Sequence, residues 1–256
     1  MDILFICLIA FAASLLTLYS GFGLGTILMP VMAIFFPLDI AIALTAAVHF
    51  LNNLFKLALL GKKAHWDIVL KFGLPAFVSA FLGAKALFWF ETIPLLFAYQ
   101  LGNRVFEVTV LKLSIAILII IFVILELIPK FQKLSFSPRF VSLGGLVTGF
   151  LGGLSGHQGA LRSAFLIKAN LTKESFIATG VVIACLVDLS RLFVYSQNVF
   201  AQIADHKLLV LSAAVSAFAG VFLGARLLHK ITMAAVQRIV TALLLTIAIL
   251  LAAGMV

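Results

Sequence analysis

Apolar residues gather along this chain into ten runs separated by charged or turn-rich breaks, at 3–20, 24–36, 40–60, 68–90, 108–128, 140–154, 158–169, 174–195, 207–228 and 233–254. The runs lack period-2 alternation, so they predict α-helices, which satisfy their backbone polar groups internally, and not barrel strands. At about 1.5 Å per residue, a helix needs roughly 20 residues to cross a hydrocarbon core of ~30 Å. Six runs are long enough: 40–60, 68–90, 108–128, 174–195, 207–228 and 233–254. The runs 24–36 and 158–169 fall well short, and each follows a glycine cluster, GFGLG from Gly21 to Gly25 and GGLSGHQG from Gly152 to Gly159. Each glycine cluster therefore predicts the turn of a helical hairpin, broken or re-entrant, inside the membrane or near its far face.

The second half of the chain echoes the first in order. IALTAAVHFLNNLFK, from Ile42 to Lys56, lies 135 residues before IATGVVIACLVDLSR, from Ile177 to Arg191, and AFLGAKAL at Ala80 precedes VFLGARLL at Val221 by 141. Each half is then a glycine-turned hairpin followed by three long helices, with residues 1–138 as the first membrane repeat and 139–256 as the second. Five segments is an odd number, so the halves enter the membrane from opposite faces. The expected architecture is an all-α polytopic membrane protein of two inverted repeats forming one integrated transmembrane domain. Short glycine-interrupted segments at matching positions of such repeats point to a secondary transporter with its site between them.

Composition removes the soluble alternatives. With 64% hydrophobic and 11% charged residues and a mean hydropathy of +1.26, the chain has far more apolar surface than a compact globule could hide from water. The net charge of +9 would suggest nucleic acid in a soluble protein, but here the basic residues fall in short loops, where they set membrane orientation. If both hairpins return to the side they left, 12 Lys and Arg residues, among them Lys56, Lys62, Lys63, Lys133, Lys168 and Lys230, share one side, against 5 on the other: Lys85, Arg104, Lys112, Arg191 and Lys207. Counting each hairpin as one crossing reduces this to 9 against 8. The positive-inside rule favours the first arrangement, which places both termini on the outer side of the cell membrane. Met1 and Asp2 lead into an apolar run without the basic stretch of a cleaved signal, so this segment is expected to stay in the protein. Cys7 and Cys185 both lie in apolar runs and offer neither a disulfide framework nor a thiolate metal site.

The hairpin glycines, PLDIAIALTAAVHFLNNLFK, GHQGALRSAFL and the two FLGA[KR] echoes together resemble the TauE/SafE sulfite-exporter family of membrane permeases. The resemblance covers nearly the whole chain. It implies a multi-pass carrier for small sulfur-containing or organic anions such as sulfite, sulfoacetate or sulfolactate.

An ionisable group near the bilayer centre costs a few kcal/mol on insertion scales, so each one needs a partner or a purpose. Arg162 follows the second turn on its returning arm, and no acidic residue is close enough in sequence to be its helical partner. Its guanidinium can hold a carboxylate or sulfonate bidentately, unless it neutralises Asp188 or Glu174 across the bundle or caps carbonyls of the broken helix. Ser155, Gly156, His157, Gln158 and Gly159, with Gly23 and Gly25 of the first turn, are the candidate anion contacts, because turn amides at a half-helix N-terminus add donors. Asn52 and Asn53 extend the candidate path, and His49 and Asp188 are the candidate proton-coupling groups. The plainer readings are interhelical hydrogen bonds for the asparagines, a neutral core role for His49, a local Asp188–Arg191 pair, and a Lys56 that snorkels to the cytoplasmic end.

The sequence thus predicts a secondary carrier of a small anion, sulfite, thiosulfate or an organosulfonate, working by alternating access, with protons as candidate co-substrates. The alternatives are an anion channel, an intramembrane enzyme or a partner subunit without transport. Neither HExxH nor a Walker GxxxxGK[ST] motif occurs, and the five histidines are scattered, so no catalytic residue, metal or cofactor is assigned. The bilayer is an expected partner and nucleic acid is not; a homodimer is compatible with the sequence.

Overall fold

The computed structural model describes residues 2–17, 23–127, 136–167, 169–227 and 233–256. Gly21 of the first turn and the loop residues Lys133, Lys168 and Lys230 lie outside them. The helices in chain order are α1 (Asp2–Thr17), α2 (Leu24–Phe35), α3 (Leu38–Leu60), α4 (Trp66–Glu91), α5 (Val110–Leu127), α6 (Val141–Ser155), α7 (Gly159–Leu166), α8 (Lys173–Asp205), α9 (Lys207–Leu227) and α10 (Met233–Ala252). Among the described residues, four segments are long and apolar enough to cross a membrane: Leu38–Lys63, Trp66–Glu91, Lys173–Gln197 and Lys207–Gly224. The 12-residue α2 and 8-residue α7 span only about 18 and 12 Å at the helical rise, so they are short arms, as the glycine-cluster argument requires.

Three features depart from the sequence expectations. Between α4 and α5 the chain forms an antiparallel hairpin, β1 (Phe97–Leu101) and β2 (Arg104–Val108), so the fold is not wholly helical. Its two-residue turn puts Gly102 at φ +62°, the left-handed conformation that glycine adopts without penalty. Tyr99 Oη donates to the Ala253 carbonyl at 2.6 Å, tying the hairpin to the end of α10. Next, α8 runs ten residues past the expected end at 195, because an amphipathic stretch continues the helix through a local break at Val199 (φ −129°, ψ 25°) after the apolar run stops. Last, α4 contains a π-turn at Val69–Gly73. Pro75 offers no N–H to the Lys71 carbonyl and its ring crowds that oxygen, and the widened turn before it absorbs the conflict.

Small residues set the helix pairing. Gly145, Gly149 and Gly153 line one face of α6 against α4, where an added Cβ would collide with the Phe72, Ala76 and Ala80 carbonyls. From the α4 side, Gly83 sits against Phe150 and Leu154. Gly220 and Gly224 of α9 meet Phe11 and Leu15 of α1 in the same way. With no hydrophobic drive between helices in lipid, such close backbone approach supplies the packing attraction. The other principal pairs are α3 with α8 and α5 with α10.

The interior is divided unequally between the two ends. A large apolar cluster, including Leu28, Met32, Leu44, Leu87, Ile115 and Leu244, fills the half nearer the β-hairpin. The half nearer Lys62 and Lys63 holds a smaller cluster around Phe72, Phe165 and Ile183, and the space beside it is a cavity.

Candidate functional site

The cavity follows one face of α8, where Lys173, Phe176, Ile177, Gly180, Val181 and Ala184 recur at helical spacing. Lys173 is exposed at one end, while Gly180 and Ala184 are buried, so the cavity deepens along α8 over about 16 Å. Thr17 of α1, Gly23, His49, Asn53 and Lys56 of α3, and Arg162, Ser163 and Leu166 of α7 complete the wall, enclosing about 270 Å³. At roughly 30 Å³ per liquid water, that volume accommodates a small oxyanion or a C2–C3 sulfonate with a few waters.

Among the described residues the wall carries three cations, Lys56, Arg162 and Lys173, and no carboxylate. Lys56 is only 6% exposed and makes no hydrogen bond or ion pair with the described residues; it faces the cavity and does not snorkel away from it. Arg162 Nη1 is buried without a hydrogen-bond partner, and the guanidinium lies beside Gly180, whose missing side chain leaves room for it. Arg162 forms no ion pair with Asp188 or Glu174 among the described residues, so the neutralisation alternative is not realised. Placing Lys56 and Arg162 together in a desolvated wall is unfavourable until a counter-anion joins them.

Asp188 stands behind this wall, fully occupied. His49 Nδ1 lies 2.7 Å from Asp188 Oδ2, and Asn53 Nδ2 donates to the same oxygen at 3.1 Å. Arg191 binds the other oxygen, with Nε at 3.0 Å and Nη2 at 2.8 Å from Oδ1. The local Asp188–Arg191 pair is therefore formed, and His49 extends it to α3, 139 residues earlier in the chain. The two hairpin turns come together at the same level. A Cβ on Gly25 would sit 3.7 Å from the Gly156 carbonyl and 3.8 Å from the His49 ring, and one on Gly23, at φ +84°, would be 3.5 Å from His49 Nε2.

The model of the family described as Sulfite exporter TauE/SafE matches residues 6–251. The chain belongs to the TauE/SafE family. No curated protein and no solved structure matches it. This TauE/SafE chain is thus a membrane-embedded protein of a transporter family.

Of the residues the sequence nominates, the TauE/SafE cavity is lined by Gly23, His49, Asn53 and Arg162. Asn52 faces elsewhere and accepts a hydrogen bond from Ser14 Oγ of α1 at 3.3 Å, the interhelical role. Gly25, Ser155, Gly156, His157, Gln158 and Gly159 are not in the cavity wall. Ser155 closes the second turn, its Oγ donating to the Leu151 carbonyl at 2.9 Å and accepting from the His157 amide at 3.3 Å. Gly156 takes the left-handed cap position at φ +79°, and a Cβ there would lie 2.9 Å from Arg191 Nη1. His157 stacks on Phe122 of α5, with centroids 5.6 Å apart. Gln158 caps the start of α7 with a buried, unpartnered side chain, and the Gly159 carbonyl accepts from Ser163 Oγ at 2.9 Å.

Sequence reasoning missed the place of Lys56, Lys173, Ser163 and the small-residue face of α8. Lys56 carried a usable signal: it matches Arg191 in the 135-residue echo, and Arg191 stands well inside its helix. Among the described residues no group of three His, Cys, Asp or Glu side chains could hold a metal ion.

Proposed function

We propose that this TauE/SafE chain is a secondary carrier that moves a small anion, sulfite, thiosulfate or a short organosulfonate, across the cell membrane by alternating access. The observation that carries the reading is the convergence of the buried Lys56 and the half-buried Arg162 on a cavity with no carboxylate among the described residues of its wall. The anion supplies the missing counter-charge, and Arg162 offers a planar fork to its oxygens. The α2 N-terminus beyond Gly23 adds a favourable dipole end.

Two further features support alternating access. In this conformation the cavity opens toward the Lys62 and Lys63 end, while the apolar cluster fills the opposite half, an arrangement that alternating access would use as one of its two states. The helix pairs α1 with α9, α4 with α6, α3 with α8 and α5 with α10 are those expected when inverted repeats 1–138 and 139–256 exchange roles. Gly83 and Gly224, which match in the FLGA[KR] echo, each press on the first helix of the other half. By the positive-inside rule we assign the Lys62 end to the cytoplasm and both termini to the outer face. His49 and Asp188, linking the cavity to the midpoint of the bundle, are the proton-coupling pair in this reading.

Flux of sulfite, thiosulfate and C2–C3 sulfonates into sealed vesicles tests the reading. Arg162→Ala is expected to raise the half-saturating concentration by 10-fold or more, since a hydrogen bond to a charged group is worth about 1.5–3 kcal/mol. Equal flux of wild type and variant across the panel would end the anion-carrier reading.

A further inference from the structure

The second hairpin turn holds polar groups that the cavity does not use. Arg191 Nη1, His157 Nε2 and both amide atoms of Gln158 have no hydrogen-bond partner among the described residues, and these residues are 0%, 3% and 3% exposed. Buried polar atoms in folded proteins are almost always paired, so several orphans in one place signal a partner that this conformation excludes. The turn packs against one face of α8: Gly156 abuts Arg191 Nη1, and the Gln158 side chain lies against Gly152, which also touches Val187, one turn before Arg191. His157 follows Gly156 directly in the chain, which seats it in the same turn beside Arg191. A guanidinium and a carboxamide NH2 are donors an oxyanion or sulfonate binds, and His157, whose Nδ1 donates to the Ser155 carbonyl at 3.1 Å, adds an Nε2 donor in its imidazolium form.

We propose that Arg191, His157 and Gln158 form a second anion-binding half-site, the one used when the carrier opens toward the β-hairpin end, with Asp188 standing in for the anion while that end is closed. The proposal rests on the carrier reading and deepens it by assigning the opposite state its ligands. Arg191 occupies in α8 the place that Lys56 occupies in α3, 135 residues earlier, and Asp188 that of Asn53. Lys56 faces an open cavity with a neutral Asn53 beside it; Arg191 faces a closed, apolar half with a carboxylate beside it. Inverted repeats that exchange conformations turn the surroundings of Arg191 into those of Lys56. In that state Phe122, now stacked on His157, moves off the turn.

Thiol labelling of the full chain in sealed vesicles tests this, with Cys7 and Cys185 replaced by Ser and a membrane-impermeant charged maleimide added from one face at a time. Ser163→Cys, in the cavity wall, is expected to label from the Lys62 face. Gln158→Cys is expected to label from the β-hairpin face and not from the Lys62 face, several-fold more slowly, and sulfoacetate is expected to slow both. Labelling of Gln158→Cys from the Lys62 face, or from neither face while Ser163→Cys labels, overturns the proposal, as does sulfoacetate protection at 163 without protection at 158. His157→Cys serves as the reporter if Gln158→Cys does not assemble, with the same outcomes. Absence of flux by the wild-type chain would instead defeat the carrier reading, and the sidedness of labelling separates the two failures.

Discussion

Lys56 and Arg191 stand 135 residues apart at matching places in α3 and α8, and their circumstances are opposite. Lys56 is buried, borders water-accessible space and has no carboxylate partner. Arg191 is buried more completely and is held by Asp188 through both Nε and Nη2. The residue three positions before each cation accounts for most of this: Asn53 in one helix, Asp188 in the other. One functional group, a carboxamide in place of a carboxylate, supplies Arg191 with an internal anion and, in the carrier reading proposed above, leaves Lys56 receptive to an outside one. A charge left unpaired in low dielectric seeks whatever partner can reach it, so the two ends of the bundle differ in chemistry as well as in shape.

The largest effect is expected from removing the internal anion. Asp188→Asn leaves Arg191 without a counter-charge and His49 without its partner, and loss of one member of a buried pair costs about 3–5 kcal/mol. Thermal unfolding in detergent should drop sharply, and stability near that of the wild type would mean that Arg191 is not held by Asp188. Next comes the reciprocal change. Asn53→Asp gives Lys56 a carboxylate at i−3 and sets a negative charge in the cavity wall, and the half-saturating anion concentration should rise by 10-fold or more, as for loss of a charged hydrogen bond of about 1.5–3 kcal/mol. Unaltered saturation would show that Lys56 does not contact the anion. His49→Gln keeps a hydrogen-bonding side chain toward Asp188 but cannot gain a proton near neutral pH, so flux should persist while losing its acceleration by an imposed proton gradient. A response to the gradient equal to that of the wild type would take His49 out of coupling. The smallest effect belongs to Asn52→Leu. It removes only the bond to Ser14, worth about 0.6 kcal/mol between helices in lipid, and should leave the anion's half-saturation unchanged.

The helices were readable because apolar runs in this chain end where charges and turn residues begin, and a bilayer makes that boundary strict. The runs 24–36 and 158–169 became α2 and α7 within a few residues, and the second glycine turn falls where GGLSGHQG stands. The β-hairpin was legible in principle: FAYQL and RVFEV flank the dipeptide Gly102-Asn103, a hairpin spacing that the surrounding long apolar runs obscured. The extension of α8 to Asp205 was not, because its last turns lack the continuous apolarity that marked the other helices. Of the site, Arg162 was found because an intramembrane arginine without a local partner stands out in any sequence. Lys56 was misplaced because a lysine near the end of an apolar run has two destinations, and its direction depends on what packs around it.

Charge, hydropathy and the glycine clusters by themselves determined that this chain lies in lipid as paired sets of helices with broken arms, since those properties are local and lipid punishes every exception. Tertiary structure alone decided that Asp188 would be shared between Arg191 and His49, that Lys56 and Arg162 would face one cavity, and that His157 and Gln158 would be shut away from it. Those outcomes depend on distances between residues more than a hundred positions apart, and electrostatic energy in a low dielectric depends on those distances far more than on sequence order.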